Sequence, residues 1–253
     1  MKVRKPLLLA AALVLVCAGA AVAQTTQVPA LPKITVGLDP AKKPQDVAQS
    51  LQILIFMTVL SLAPGFLIMM TGFTRIVIVL GFLRNALGTQ QMPPNQVLLS
   101  FSLFLTILIM APIFIKINDE ALQPYMNRKL TQAQAFEKAS RPIRDFMLRQ
   151  TREKDLALFV KVAKLKRPRN ANDLPLYVVI PSFAISELKT AFEMGVALFI
   201  PFLVVDMVIA TILMSMGMMM LPPVLISLPF KILLFVMVDG WHLVVRSLVT
   251  SFK

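Results

Sequence analysis

Long apolar segments constrain this chain more than any other feature. The first covers residues 51–83, about 33 residues or roughly 50 Å of straight helix. That length exceeds a hydrocarbon core of ~30 Å, so we expect Pro64–Gly65 to break or kink the helix. Further apolar segments cover residues 97–117, 182–215 and 225–249. With 57% hydrophobic and 15% charged residues, the chain is more apolar than a typical soluble domain. The pattern predicts an all-α membrane protein with four membrane-type segments paired in two helical hairpins.

Polar stretches predict the organisation between and before these hairpins. Asp119 to Pro181 is rich in Lys and Arg, and it also carries acidic residues. Such alternation favours a solvated helical face over a surface for nucleic acid, so no nucleic-acid partner is predicted. The predicted divisions are a signal peptide at 1–23, a polar leader at 24–50, the first hairpin at 51–118, the basic helical insert at 119–181 and the second hairpin at 182–253.

The N-terminus predicts a cleaved signal peptide. A basic start and an apolar stretch precede a small-residue site, with cleavage between Ala23 and Gln24. Cleavage removes Cys17, the only cysteine, and this excludes disulfides and cysteine metal sites in the mature chain. The signal places the insert outside the cytoplasm, whereas the positive-inside rule favours the opposite. We follow the signal peptide, and the conflict indicates segments that do not sit as ordinary bilayer spans.

Helix-start signals divide the insert into two helices. Thr131 is a predicted N-cap for a helix that ends near Gln150. Thr151, followed by Glu153 and Asp155 in the first turn, predicts the start of the next helix. Apolar residues at helical spacing on both predict a packed face.

Charges inside the apolar segments are candidate functional residues. Each unpaired charge at the bilayer centre costs about 2.5–3.5 kcal/mol. Asp206 and Lys231 lie ~16 Å and ~12 Å from the turn between the last two segments, which predicts an ion pair. A structural bridge, ion or proton passage, and exposure to a wet lumen all remain open for this pair. Arg75, Glu187 and Asp239 are further candidates for buried or interface charges.

No signal for enzyme chemistry occurs in the sequence. It lacks a Gly-rich phosphate loop, a nucleophile elbow and paired catalytic carboxylates. His242 is the only histidine, and one histidine without cysteine does not make a usual zinc site. We therefore predict no catalytic residue, no cofactor and no metal.

A methionine cluster stands at the predicted turn of the second hairpin. Met218, Met219 and Met220 precede Pro222–Pro223. Methionine is unbranched and polarizable, so such a cluster forms a soft apolar surface. On a hairpin that also carries charges, such a surface indicates a conduit that closes around passing molecules of variable shape.

Several stretches together resemble a known family. They are LSLAP (60–64), TRIVIVL (74–80), LRNALG (83–88), PPNQVL (93–98), SELKTAF (186–192), PFLVVD (201–206), MGMMM (216–220), ISLPFK (226–231) and VDGW (238–241). Their combination and order resemble the type III secretion export-gate family, over about residues 52–246. The predicted signal peptide and the size of the insert favour the flagellar branch over the injectisome branch.

The resemblance implies a non-enzymatic, all-helical subunit that assembles in several copies, five on the family pattern. Its partners would be Q-type and R-type gate subunits and other proteins of the basal-body export apparatus. Together they would form a helical, tapering pore for unfolded flagellar proteins, at the bacterial inner membrane and displaced toward the periplasm. Met218, Met219 and Met220 would form a gasket, and Asp206 and Lys231 the charge pair of that family.

Two other functions remain open at this stage. One is a proton- or ion-conducting channel subunit in which Asp206 titrates. The other is a structural scaffold of a secretion complex, in which the insert carries the contacts and partners form the pore.

Overall fold

The computed structural model describes residues 44–89, 91–165, 173–218 and 220–252. All regular secondary structure in these ranges is helical, which confirms the all-α prediction. The chain separates into two units between Leu54 and Ile55, and every contact discussed below lies in the second unit. The predicted signal peptide and its cleavage site lie outside the described residues. The helices are α1 (Pro44–Met69), α2 (Phe73–Leu87), α3 (Asn95–Ile117), α4 (Gln123–Met126), α5 (Gln132–Gln150), α6 (Glu153–Val162), α7 (Leu176–Ser215), α8 (Pro223–Met237) and α9 (Gly240–Thr250), with a π-helical turn at Asn118–Leu122.

The first apolar run breaks later than the sequence predicts. Helix α1 continues through Pro64, and the break lies at residues 70–72. The ring of Phe252 reaches this break, and a Cβ on Gly72 would lie only 2.6 Å from it. A distant aromatic ring, rather than the local proline, therefore decides where the two helices separate.

Helix α2 is the centre of the fold. Its residues Ile76, Val79, Leu80 and Leu83 are completely buried, because α3 and α7 both pack along it. The helix is followed by Gly88, whose φ of 77° is left-handed and suits a residue without a Cβ.

The insert packs its apolar face against α7. Thr131 caps α5 with a reciprocal capping box, and the helix ends at Gln150, as predicted. The next helix starts one residue later than expected, with Arg152 as its N-cap. Thr151 instead donates its hydroxyl back to the Met147 carbonyl at 2.6 Å.

The second hairpin differs from prediction at both outer ends. Helix α7 begins at Leu176 rather than near Ser182, and it passes through Pro181 and Pro201. The predicted last helix, residues 225–249, is wrong as a single element, because α8 and α9 meet at an angle of 65°. The break has a packing reason, since the Phe235 ring lies 2.2 Å from the position of a Cβ on Gly240.

Fewer helices of the described residues are long and apolar enough to span a membrane than the four segments predicted from the sequence. Two helical stretches are long and apolar enough to cross a bilayer, Asn95–Met126 and Leu176–Ser215. The α8–α9 pair adds a third span if both helices are counted as one, and the apolar part of α1, Leu51–Phe66, is shorter. This count covers only the residues described above.

Candidate functional site

Two backbone hydrogen bonds in the α7–α8 turn cap the C-terminus of α7. The Met218 amide donates to the Leu213 carbonyl at 3.0 Å, and the Gly217 amide donates to the Met214 carbonyl at 3.1 Å. This pair of bonds is a Schellman motif, with Gly217 at the left-handed position (φ 73°). Its hydrogen bonds define the direction in which the methionines leave the helix.

The methionines of this turn are exposed. Met220 is 98% exposed and Met218 is 39% exposed, and the preceding Met216 is also exposed. Met219 lies outside the described residues. A turn built to pack within its own subunit would bury such large apolar side chains. The exposed thioethers are therefore available to surfaces outside this chain.

Asp206 of α7 and Lys231 of α8 are brought together within one chain. Lys231 Nζ donates to Asp206 Oδ2 at 2.6 Å, and the Ser227 hydroxyl donates to Asp206 Oδ1. Lys231 is 3% exposed and Asp206 29% exposed at the side chain. The carboxylate therefore fastens α8 to α7 through two different side chains one helical turn apart.

Lys231 also reaches a third helix. Its ammonium donates to the Ala86 carbonyl at 3.2 Å, in the last turn of α2. The last four carbonyls of a helix have no intrahelical N–H partner, and cations are favourable at that end. Lys231 thus joins α8, α7 and the C-terminal end of α2.

A second buried charge cluster lies at the other end of α2. Arg75 donates from Nε to Glu187 Oε2 at 3.0 Å and from Nη2 to Glu187 Oε1. Nη2 also donates to Gln150 Oε1 at 3.0 Å, and Nη1 donates to the carbonyl and hydroxyl of Ser251, both at 2.9 Å. A guanidinium has five N–H donors, and five acceptor oxygens surround this one. Full pairing explains how an arginine that is 2% exposed is tolerated beside a glutamate that is 0% exposed.

Two further contacts complete the Arg75 cluster. The Phe252 ring covers the guanidinium, with 3.9 Å from its carbon to the ring centroid. Gln150 donates its amide to the Phe252 carbonyl at 3.2 Å. The cluster therefore joins α2, the insert, α7 and the residues that follow α9.

A polar junction joins α6 of the insert to α7. The Ser186 hydroxyl donates to Asp155 Oδ2 at 2.6 Å, and Arg152 donates to the same oxygen at 2.8 Å. The Ser186 hydrogen bond, aided by Arg152, holds the pKa of Asp155 below its ordinary value, although partial burial opposes this. Asp155 is thus a charged anchor for the start of α6.

Comparison with known proteins identifies the family. The profile described as the FliP family matches residues 56–248. The chain belongs to the FliP family. A flagellar biosynthetic protein FliP from Bacillus subtilis (strain 168) is 60% identical over 83% of this chain and 95% of its own length. Proteins of the same description from Caulobacter vibrioides (57% identical, 80% of this chain, 76% of the relative) and Aquifex aeolicus (52%, 82% and 88%) are also similar.

Membership in the FliP family confirms the resemblance seen in the sequence. The protein is a flagellar biosynthesis protein of the export apparatus, and its apolar helices fit a membrane-associated component of type III secretion. Within the described residues, no group of three or more His, Cys, Asp or Glu side chains is placed to hold a metal ion.

The charged residues predicted as buried or interface sites lie in different environments in the structure. Arg75 and Glu187, predicted as separate charges, lie in one cluster, whereas Asp239 is exposed and forms the break between α8 and α9. Lys189 and Glu193, four residues apart, form an ion pair on one face of α7, with 3.6 Å between Lys189 Nζ and Glu193 Oε1.

Sequence reasoning missed several neutral partners of these charges. Ser227 precedes Lys231 by four residues, so helical spacing alone could have placed it on the same face. Arg75 also contacts Gln150, Ser251 and Phe252, which lie 75–177 residues further along the sequence. No local sequence pattern predicts contacts over such separations.

Proposed function

We propose that this chain is a core subunit of the flagellar type III protein export gate. Several copies, with Q-type and R-type partners, form a channel for unfolded flagellar proteins at the inner membrane and its periplasmic side. Met218, Met219 and Met220 of neighbouring copies close the resting channel. The observation that carries the proposal is the exposure of Met218 and Met220 at the tip of a hairpin whose two helices are joined by a partly buried ion pair.

The chemistry of the tip suits a seal against cargo of variable shape. Thioether side chains have three rotatable bonds and adapt to irregular apolar surfaces. A ring of them excludes hydrated ions when closed, and it separates and closes again around side chains of different size. Rigid β-branched residues would leave gaps around some substrates and obstruct others.

The hairpin base supplies the positioning that such a seal requires. Asp206 and Lys231 join α7 to α8 and to the end of α2, while Gly217 sets the turn at the end of α7. The methionine-bearing end of the hairpin therefore stands on a support defined by hydrogen bonds.

The apolar outer surface supports assembly into a larger complex. Large apolar side chains on α1, α3, α7 and α8 are exposed, among them Phe56, Phe104, Val204 and Leu233. Exposed apolar side chains in this number require lipid or protein to cover them. A membrane-embedded assembly with several protein partners provides both.

Deleting Met218 to Met220 tests the seal. In cells whose own copy is replaced, we expect normal assembly, raised sodium and proton leakage across the membrane, and impaired export of flagellar proteins. The matched control replaces Met207 and Met237, which are exposed on α7 and α8 away from the tip, with alanine. A deletion that assembles, leaks no more than this control and exports normally would refute the gasket.

A cysteine at position 219 tests whether neighbouring tips meet. Cys17 is the only native cysteine, so a cysteine-free background requires one substitution. We expect Met219→Cys copies to form disulfide-linked dimers on oxidation, whereas Met237→Cys copies do not. Absence of linked dimers from an assembled complex would contradict convergence of the tips.

A proton- or ion-conducting subunit is the alternative, and one observation bears on it. Asp206 is the more exposed partner of its pair, with 29% of its side chain exposed, so its carboxylate is within reach of water. Under that alternative, Asp206→Asn assembles normally and loses proton flux. Under our proposal the same variant weakens the hairpin, so assembly and export fall together.

A further inference from the structure

Helix α8 contacts its own subunit through one narrow stripe. Its buried residues are Ser227, Lys231 and Phe235, each four positions after the previous one. The other faces of the helix are largely exposed, at Leu225, Phe230, Leu233, Val236 and Met237 among others. A helix held along a single line of contacts is free to separate once those contacts are broken.

Two of the three stripe residues depend on one carboxylate. Ser227 and Lys231 both donate to Asp206. Lys231 also donates to the Ala86 carbonyl at the end of α2, and the Ser227 hydroxyl also reaches the Val224 carbonyl within α8 at 3.2 Å. Asp206 is partly exposed, so water can replace its partners as they leave. We call the contacts of Ser227 and Lys231 with Asp206 the α8 latch.

The residues between α8 and α9 have the geometry of a pivot. Val238 (φ −90°, ψ 7°) and Asp239 (φ 51°, ψ 54°) both lie outside helical geometry, and the two helices diverge by 65°. Aspartate is one of the few residues other than glycine that visit the left-handed region. Two backbone hydrogen bonds end at this pivot, from the Asp239 amide to the Val236 carbonyl at 3.1 Å and from the Leu243 amide to the Asp239 carbonyl at 3.2 Å. Rotation about Val238 and Asp239 moves α8 at the expense of these terminal bonds and leaves the interior of each helix intact.

Helix α9 is anchored much more firmly than α8. It is followed by Ser251 and Phe252, which bind the guanidinium of Arg75 through two hydrogen bonds and a stacked ring. That cluster is fully paired and buried, whereas the α8 latch is partly open to solvent. The pivot therefore has one fixed arm, α9, and one releasable arm, α8.

We propose that α8 is a hinged arm that opens the gate. It turns about Val238 and Asp239 when the α8 latch releases, and it carries one side of the methionine turn with it, while α9 stays on Arg75. This inference rests on the proposed gate function, and it adds which element moves and which contacts hold it closed.

A reversible cross-link tests the motion. A Cβ on Gly88 would lie 3.9 Å from Val224 Cγ1, so side chains at these two positions are in contact, and a cysteine pair there is the direct way to join α8 to the end of α2. We expect oxidised Gly88→Cys/Val224→Cys protein, which ties α8 to the end of α2, to lose export at least tenfold and to regain it on reduction. A side chain on the left-handed Gly88 (φ 77°) is itself strained, so the baseline is each single-cysteine variant, whose export should be the same under oxidising and reducing conditions.

A second disulfide serves as the matched control. A Cβ on Gly195 would lie 3.1 Å from Phe82 Cβ, so Phe82→Cys/Gly195→Cys ties α2 to α7, which remain together in the proposed motion. This variant should export equally well oxidised and reduced. Normal export by the Gly88/Val224 pair, with its disulfide complete, would overturn the hinge.

Substitutions at the pivot test it without a cross-link, should the cysteine pair fail to fold. Asp239→Gly keeps the left-handed conformation, whereas Asp239→Ala favours a straight α8–α9 helix. We expect resting ion leakage of the alanine variant about fivefold above that of the glycine variant. Equal leakage and equal export from both would overturn the hinge. If the Met218–Met220 deletion leaks ions but the cross-linked protein exports normally, the proposed gate function is supported and only the hinge is refuted. The absence of leakage from that deletion would refute the gate itself.

Discussion

Arg75→Met should be among the most destabilising single substitutions in this protein. The substitution keeps an apolar stem of similar length but removes the cation from a carboxylate, Glu187, that is completely buried. Removing one partner of a buried ion pair costs about 3–5 kcal/mol, because the other charge stays desolvated. Native proteins unfold with about 5–15 kcal/mol, so this loss consumes a large share of the stability.

A double-mutant cycle in detergent measures the coupling directly. Trp241 is the only tryptophan, and its ring packs edge-on against Phe235 with 5.5 Å between centroids, so its fluorescence reports the α8–α9 corner. Arg75→Met and Glu187→Gln should each lower the free energy of unfolding. The double variant should be at least 2 kcal/mol more stable than the two losses predict by addition.

An exposed ion pair provides the control for this cycle. Arg141 and Glu137, four residues apart on α5, form an ion pair whose two side chains are both exposed. Exposed ion pairs contribute about 0–1 kcal/mol to stability. Arg141→Met should therefore change the free energy of unfolding by less than 1 kcal/mol. An Arg75→Met loss as small as that, or strict additivity in the cycle, would refute the reasoning that full pairing makes Arg75 structural.

Three further changes probe the insert and the core. The hydrogen bond from Ser186 lowers the pKa of Asp155, so the ionised carboxylate stabilises the fold above the unfolded-state pKa of about 4. That stabilisation is lost as the pH falls through the folded-state pKa. The free energies of unfolding at pH 7 and pH 3 should therefore differ less for Asp155→Asn than for the parent protein. Arg128 is exposed with a φ of 56°, so Arg128→Gly should raise the thermal midpoint, with a gain of about 1 kcal/mol. Gly195→Ala places a Cβ 2.5 Å from the Phe82 ring and should cost about 1–3 kcal/mol, and the same melting experiment would contradict the packing argument if the midpoint did not change.

Local signals predicted the parts of this structure that local physics governs. Thr131 caps α5 because its hydroxyl reaches an amide three residues away, and Gly88 ends α2 because a left-handed residue must follow the helix. The ion pair of Asp206 with Lys231 was predictable from depth along two helices that share a short turn. Family membership also followed from short motifs in a constant order.

Other features depended on partners that are distant in sequence. Pro64 stays inside a helix, while the break moves to Gly72, where the ring of Phe252 arrives. The last apolar run bends at Asp239 because Phe235 packs on Gly240, although hydropathy is continuous across both. Hydropathy measures how much apolar surface a segment carries, and it does not record what that surface meets.

The amino-acid sequence by itself determined that this chain is helical, membrane-associated and a member of an export-gate family, since apolar length, capping residues and ordered motifs are properties of short segments. Only the tertiary structure decided that Arg75 and Glu187 share one cluster, that Lys231 reaches the end of α2 and that α8 and α9 are two helices. The physical reason is that a buried charge is tolerated only where several donors and acceptors converge, and the fold alone brings those groups together.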